Sequence, residues 1–161
     1  MAFVVTSCHQ DETVEPPLDP TEDYIFFNTE MASRGELVTE MTGRNFGVMG
    51  YEYTGDWNTV KVQAKPNLFN AQTIEWNEAS SVHQYTPLKT WKPGYKYTFF
   101  GYYPTTGIEL SGSEVEGVPY LTYTLPDTPA DMKDVMTTVV YDTDNSASNS
   151  VGLTFQHRLV A

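Results

Sequence analysis

The sequence has a single cysteine, few basic residues and no long apolar run. One cysteine among 161 residues cannot form an internal disulfide, and His9, His83 and His157 supply no recognised metal-binding spacing around it. Nine Lys and Arg against 21 Asp and Glu give a formal charge of −12, which argues against a nucleic-acid partner. No apolar stretch reaches the roughly 18 residues of a membrane-spanning helix. The sequence therefore predicts neither a disulfide scaffold nor a spanning helix.

Recognised catalytic motifs are also missing. The sequence has no GxSxG elbow, no HExxH, no Gly-rich phosphate loop and no cysteine beside a plausible base. The stretch from Asp142 to Ser146 resembles the start of a calcium loop, but Ala147 and Leu153 replace the glycine and the glutamate that such a loop requires. We expect no enzyme activity, no metal and no cofactor. A hydrolase with an unrecognised carboxylate pair stays open as the weakest alternative.

From Tyr24 onward the apolar residues recur with period two, which is typical of strands. The strand-like segments are rich in Val, Thr, Tyr and Phe, and they read YIFFNT, ELVTEM, NFGVMGYEYT, NTVKVQ, AQTIEW, YKYTFFGYY, YLTYTL, VMTTVVY and VGLTFQHRLV. Clusters of turn-forming residues separate them, and only PADMKDVM favours a helical turn. The pattern predicts an all-β domain, an antiparallel two-sheet β-sandwich.

The start of the chain matches a bacterial lipoprotein signal. The residues from Val5 to Ser7 precede Cys8 as an aliphatic and two small residues precede the acylated cysteine of such signals. An acidic, proline-rich stretch follows, which is typical of a solvated tether. The basic region and apolar segment of a leader are missing upstream, so either the leader is truncated or Cys8 is inert. We therefore assign residues 1–22 to a leader remnant and tether, and 23–161 to the domain.

Three tryptophans offer a second kind of surface. Sugar rings stack on the flat faces of tryptophan and tyrosine side chains. The sequence has eleven tyrosines and three tryptophans, which are Trp57, Trp76 and Trp91. The same rings also pack between sheets, where aromatic residues are favoured. Both interpretations stay open from the sequence.

The order of the segments resembles that of the Bacteroidales fimbrillins. The most specific pieces are the FGV.GY strand at Phe46, the strand from Trp91 to Pro104, and the closing L.F.H.L strand around His157. The likeness covers residues 23–161 and implies the N-terminal domain, a Greek-key, transthyretin-like β-sandwich, without the C-terminal domain. It also implies that Cys8 carries the lipid anchor.

The resemblance further implies assembly by strand exchange. In that family an arginine-specific protease removes an N-terminal segment, and a strand of a neighbouring subunit then fills the exposed groove. Arg34, in MASRGE after the first strand, is the position most like such a processing site, and Arg44 is the second. The other interpretation of Arg34 is an ordinary loop arginine.

These observations lead to one expected function and one alternative. We expect a structural or accessory subunit of surface fimbriae, a lipoprotein of the cell surface or outer membrane that acts in pilus assembly and adhesion. Its expected partners are other fimbrillin subunits, the outer membrane, and a host or bacterial surface glycan or protein. The alternative is a carbohydrate-binding surface lipoprotein that stacks sugars on Trp57, Trp76 and Trp91.

Overall fold

The computed structural model describes residues 18–32 and 40–158. Cys8 and Arg34 lie outside the described residues, so the lipid anchor and the first processing site stay predictions. The same holds for most of the tether assigned to residues 1–22.

Within the described residues the chain is all-β, as predicted. Its elements in order are β1 (Phe26–Met31), β2 (Phe46–Tyr53), α1 (Trp57–Val60), β3 (Phe69–Asn77), β4 (Val82–Gln84), β5 (Lys96–Tyr103), β6 (Glu109–Leu110), β7 (Leu121–Thr122), a 3-10 turn (Pro129–Asp131), β8 (Met136–Thr143) and β9 (Ser150–His157). The helical turn expected in PADMKDVM is confirmed by the 3-10 turn. The strand expected in NTVKVQ is wrong, because the Asp56 carboxylate caps α1 by accepting from the Thr59 N–H at 3.0 Å.

Seven of these strands form one sheet, in the order β1-β9-β8-β5-β2-β3-β4, and β6 pairs with β7 separately. All pairs are antiparallel except β1 and β9, which run parallel. The expectation of antiparallel pairing throughout is therefore wrong at this pair. Parallel pairing needs a long connection, and nearly the whole domain lies between β1 and β9. The end strands β1 and β4 also contact each other, so the sheet curls around its core.

The concave side of the curled sheet holds the larger core, which we call the inner core. It forms because alternate residues of each strand point to the same side. Its buried members are Ile25, Phe27, Met41, Phe46, Val48, Phe69, Ile74, Tyr85, Trp91, Tyr97, Phe99, Met136, Val151, Leu153 and Phe155. Every long strand of the sheet contributes to it, so the inner core holds the fold together.

The convex side of β2 and β5 carries a second core, which we call the outer core. It consists of Met49, Tyr51, Tyr53, Trp57 and Tyr102. Side chains from α1, the residues after it, and the β6-β7 hairpin pack over these rings. Both faces of the two central strands are therefore buried, which explains why β2 and β5 read as nearly continuous apolar runs.

Candidate functional site

Strand β1 lies at the edge of the seven-stranded sheet, and β9 is its only ladder partner among the described residues. The register runs from Phe26 opposite Ser150 to Met31 opposite Phe155. Beyond the last pair, the Ala32 N–H donates to the Phe155 carbonyl at 3.0 Å. Removing β1 would thus leave a row of unpaired backbone groups on β9.

The residues before β1 are held by the chain around Lys89. The Ile25 N–H donates to the Lys89 carbonyl at 2.8 Å, and the Trp91 N–H donates to the Asp23 carbonyl at 2.8 Å. The Tyr85 hydroxyl donates to the Ile25 carbonyl at 2.8 Å. Burial raises the pKa of Tyr85 to about 12, so this hydroxyl keeps its proton at neutral pH. The segment leading into β1 is therefore fixed by three hydrogen bonds to groups that an incoming strand could also satisfy.

The side chain of Phe27 fills a pocket lined by four aromatic rings, which we call the Phe27 pocket. Its ring centroid lies 6.5 Å from that of Phe46, 5.8 Å from Phe69, 5.9 Å from Tyr85 and 5.4 Å from Phe99. The contacts with Phe46, Phe69 and Phe99 are edge-to-face, a favourable geometry for aromatic pairs. Phe27 is thus the main side-chain anchor of β1 in the inner core.

The space that residues 25–31 occupy has the properties of a strand-binding groove, and we call it the β1 groove. One wall is the backbone of β9, the floor is apolar, and β4 lies along the other side. A strand entering it would satisfy the backbone of β9 and bury its own apolar side chains at once, as in donor-strand addition. The chemistry of this site is backbone hydrogen bonding and apolar burial.

Arg44, the second predicted processing site, is held by contacts on both its backbone and its side chain. Its N–H donates to the Met41 carbonyl at 3.1 Å, and its own carbonyl lies 2.9 Å from His83 Nε2. Its Nη1 donates to the Tyr103 hydroxyl at 3.1 Å. Burial lowers the pKa of His83, which favours the neutral ring at this contact. Proteases cut exposed, poorly ordered segments, so these contacts disfavour cleavage at Arg44.

The three predicted sugar-stacking tryptophans do not come together. Trp57 is 3% exposed in the outer core, and Trp91 is 5% exposed in the inner core. Only Trp76 is partly exposed, on β3, where its indole N–H donates to Glu78 and its ring lies 5.0 Å from that of His83. The two buried rings offer no accessible face to a sugar.

Asp142, the first residue of the stretch that resembles a calcium loop, has a structural role that the sequence did not indicate. Its Oδ1 accepts from the Trp57 N–H at 2.7 Å and from the Tyr53 hydroxyl at 3.0 Å, so it joins β8 to the outer core. Burial raises the pKa of Tyr53 to about 12, which keeps that donor protonated. Nearby, the Lys96 ammonium and the Ser146 N–H hold the pKa of Asp144 well below its usual range. The carboxylates of Asp142 and Asp144 therefore already accept hydrogen bonds from donors of the protein itself.

Two further features bear on the site. Among residues 18–32 and 40–158, no group of three or more His, Cys, Asp or Glu side chains is placed to hold a metal ion. No helix in the same part of the chain has the length and apolar character to cross a bilayer. The site described above is the space that β1 fills between the backbone of β9 and the inner core.

Comparison with known proteins gives one informative match. The structure is similar to the crystal structure of a fimbrial protein from Bacteroides vulgatus, with a TM-score of 0.70 and 24% sequence identity. The match covers 83% of this chain and 45% of the fimbrial protein, so the chain spans less than half of that protein's length. No family model and no curated protein matches the sequence. The likeness shows that the chain has the fold of part of a fimbrial protein.

Proposed function

We propose that the chain is a domain of a surface fimbrial subunit, and that it accepts a β-strand from a neighbouring subunit in the β1 groove. The observation that carries the proposal is that an edge strand near the start of the chain closes the inner core, with Phe27 in a pocket of four rings. The fold shared with a fimbrial protein supports it. The proposed work is mechanical assembly, without catalysis.

The proposed exchange begins with cleavage after Arg34. Hydrolysis of that peptide bond would separate β1 from the rest of the chain, so that only non-covalent contacts retain it. Burial of a side chain such as Ile25 or Phe27 contributes about 1.5–3 kcal/mol, and the ladder to β9 adds modest net free energy for each bond. A second strand of similar pattern would make the same contacts and could replace β1.

The finer parts of the proposal follow from the resemblance to fimbrillins. We place the uncleaved chain at the cell surface, as an N-terminal Greek-key, transthyretin-like domain anchored in the outer membrane through lipid on Cys8. Cleavage after Arg34 and exchange of β1 would then release the domain from that anchor. Acylation with two or more chains would give stable attachment without a spanning helix. The carbohydrate-binding alternative gains no support, because Trp57 and Trp91 are buried in separate cores.

An arginine-specific protease tests the proposal on the full chain. We expect cleavage at Arg34 to convert a monomer into a series of oligomers, as measured by analytical ultracentrifugation. The matched control is Arg34→Lys, which keeps the charge and removes the cleavage site, and which should remain monomeric under the same treatment. A chain that is cut after Arg34 and neither forms oligomers nor exchanges β1 for an added peptide of residues 18–34 would contradict the proposal.

A further inference from the structure

An exposed, uncharged segment runs from Val118 to Leu125, with the sequence VPYLTYTL. Val118 is 53% exposed, Tyr120 61% and Leu125 59%. Within it only β7 lies in a ladder, and β7 pairs over two residues with β6. Folded proteins normally protect uncharged segments of high β-propensity, because such segments pair with other chains. This one is left exposed, which indicates a binding role.

The spacing of this segment matches that of β1. The segment alternates larger side chains with threonines, and the larger ones are Leu121, Tyr123 and Leu125. The first strand has the same period of two, and its inward row is Ile25, Phe27 and Thr29. We propose that residues 121–125 of one copy fill the β1 groove of a second copy, with Tyr123 in the Phe27 pocket. The proposal rests on the proposed function, and it names the partner as another molecule of this same chain.

The flanking prolines agree with this register. Pro119 would lie where Asp23 lies, and Asp23 uses its carbonyl to accept from the Trp91 N–H. A proline retains that acceptor.

Thr122 would lie where Phe26 lies, and its N–H can donate to the Asn149 carbonyl as the Phe26 N–H does at 3.0 Å. Pro126 would follow the last matched residue and end the ladder, because proline has no N–H.

Few interactions hold the segment in its own molecule. The Ser111 N–H donates to the Tyr120 carbonyl at 2.9 Å, and the Tyr120 N–H donates to Ser111 Oγ at 3.1 Å. The Tyr123 hydroxyl accepts from the Lys133 N–H at 2.8 Å, and Leu121 packs at the margin of the outer core. Releasing the segment therefore leaves the inner core intact.

The proposed contact joins two different surfaces, a groove on one copy and a segment on the next. Such head-to-tail contacts do not close by two-fold symmetry, and they generate rings or open chains. Each copy would use its groove once and its segment once. The arrangement therefore suits a linear polymer.

A pair of neighbouring substitutions tests the inference. Thr124 and Leu125 are both exposed in the monomer, so a lysine at either position leaves the fold undisturbed. In the docked segment Leu125 faces the groove and Thr124 faces solvent. After cleavage at Arg34, we expect Leu125→Lys to weaken assembly at least about tenfold, and Thr124→Lys to assemble like the unchanged chain, by analytical ultracentrifugation.

Each other outcome has a definite meaning. If both variants assemble like the unchanged chain, the donor lies elsewhere; this inference fails and the proposed function stands. If both lose assembly, the stated register is wrong. If the unchanged cleaved chain stays monomeric but exchanges β1 for an added peptide of residues 18–34, this inference fails and the proposed function stands; if it does neither, both fail.

A synthetic peptide provides a second measurement on the same cleaved chain. The peptide of residues 118–126 should inhibit assembly by occupying the groove, and the same peptide with Tyr123→Ala should inhibit at least about tenfold less well, because it leaves the Phe27 pocket empty. Equal inhibition by the two peptides would overturn the placement of Tyr123.

Discussion

The two cores of this domain are closed in different ways. A strand at the sheet edge, β1, completes the inner core, and it reaches that position from the start of the described chain. Short segments that directly follow β2 and β5 along the chain cover the outer core, and Asp142 joins β2 and α1 to β8. The inner core can therefore lose its closing element as one piece, whereas the outer core is closed by several local connections.

This difference explains how one domain can combine stability with assembly. The outer core and the antiparallel ladders of β2, β5 and β8 keep the scaffold in shape. The β1 groove is the place where backbone and apolar surface would become available together. A neighbour's strand can then add to the sheet without disturbing the convex side of the copy that accepts it.

The largest expected effect is at the Phe27 pocket. Phe27→Ala should lower the free energy of unfolding by about 3–5 kcal/mol, because it empties a pocket between four rings. Phe26→Ala is the matched control, since the neighbouring ring is 43% exposed, and it should cost less than about 1 kcal/mol. Urea denaturation of the full chain measures both. Equal losses would show that β1 is not anchored through its inward face.

A smaller effect is expected at the outer core. Asp142→Ala should cost about 1–3 kcal/mol, because the Trp57 N–H and the Tyr53 hydroxyl lose their acceptor. Asp142 also has a φ of 51°, which asparagine tolerates better than alanine. Asp142→Asn keeps an acceptor oxygen and should cost less than about 1 kcal/mol.

Assembly after cleavage at Arg34 distinguishes the role of the outer core from that of the β1 groove. It should proceed in Asp142→Ala under conditions where that variant stays folded, because the β1 groove is unchanged. Failure of the folded variant to assemble would show that the β1 groove depends on the bonds of Asp142 on the convex side.

Much of this architecture could be predicted from the sequence. The period-two pattern identified β1, β2, β3, β5, β8 and β9, because half-buried strands place alternate residues on opposite sides. The segment NTVKVQ shows the limit of that signal. Its alternation is strand-like, but the Asp56 cap and the contact from Trp57 to Asp142 make it a helical turn instead.

The pairing of β1 with β9 could not be predicted from local pattern. Both strands alternate as any half-buried strand does, and nothing in either indicates a parallel partner far away in the chain. The four rings of the Phe27 pocket are likewise scattered from Phe46 to Phe99. The predicted tryptophan site failed to come together for the same reason, because spacing along the chain does not tell which core a ring enters.

The central claim is that β1 is an exchangeable strand, and replacing it tests this most directly. The full chain would be cleaved at Arg34 and incubated in native buffer with an isotope-labelled peptide of residues 18–34. Mass spectrometry of the complex would show whether the strand bound in the groove is the original fragment or the labelled peptide. We predict that the labelled peptide displaces the original fragment, one for one, while the near-ultraviolet circular dichroism of the aromatic cores is retained. Release of the fragment only at denaturant concentrations that unfold the whole domain would contradict the account.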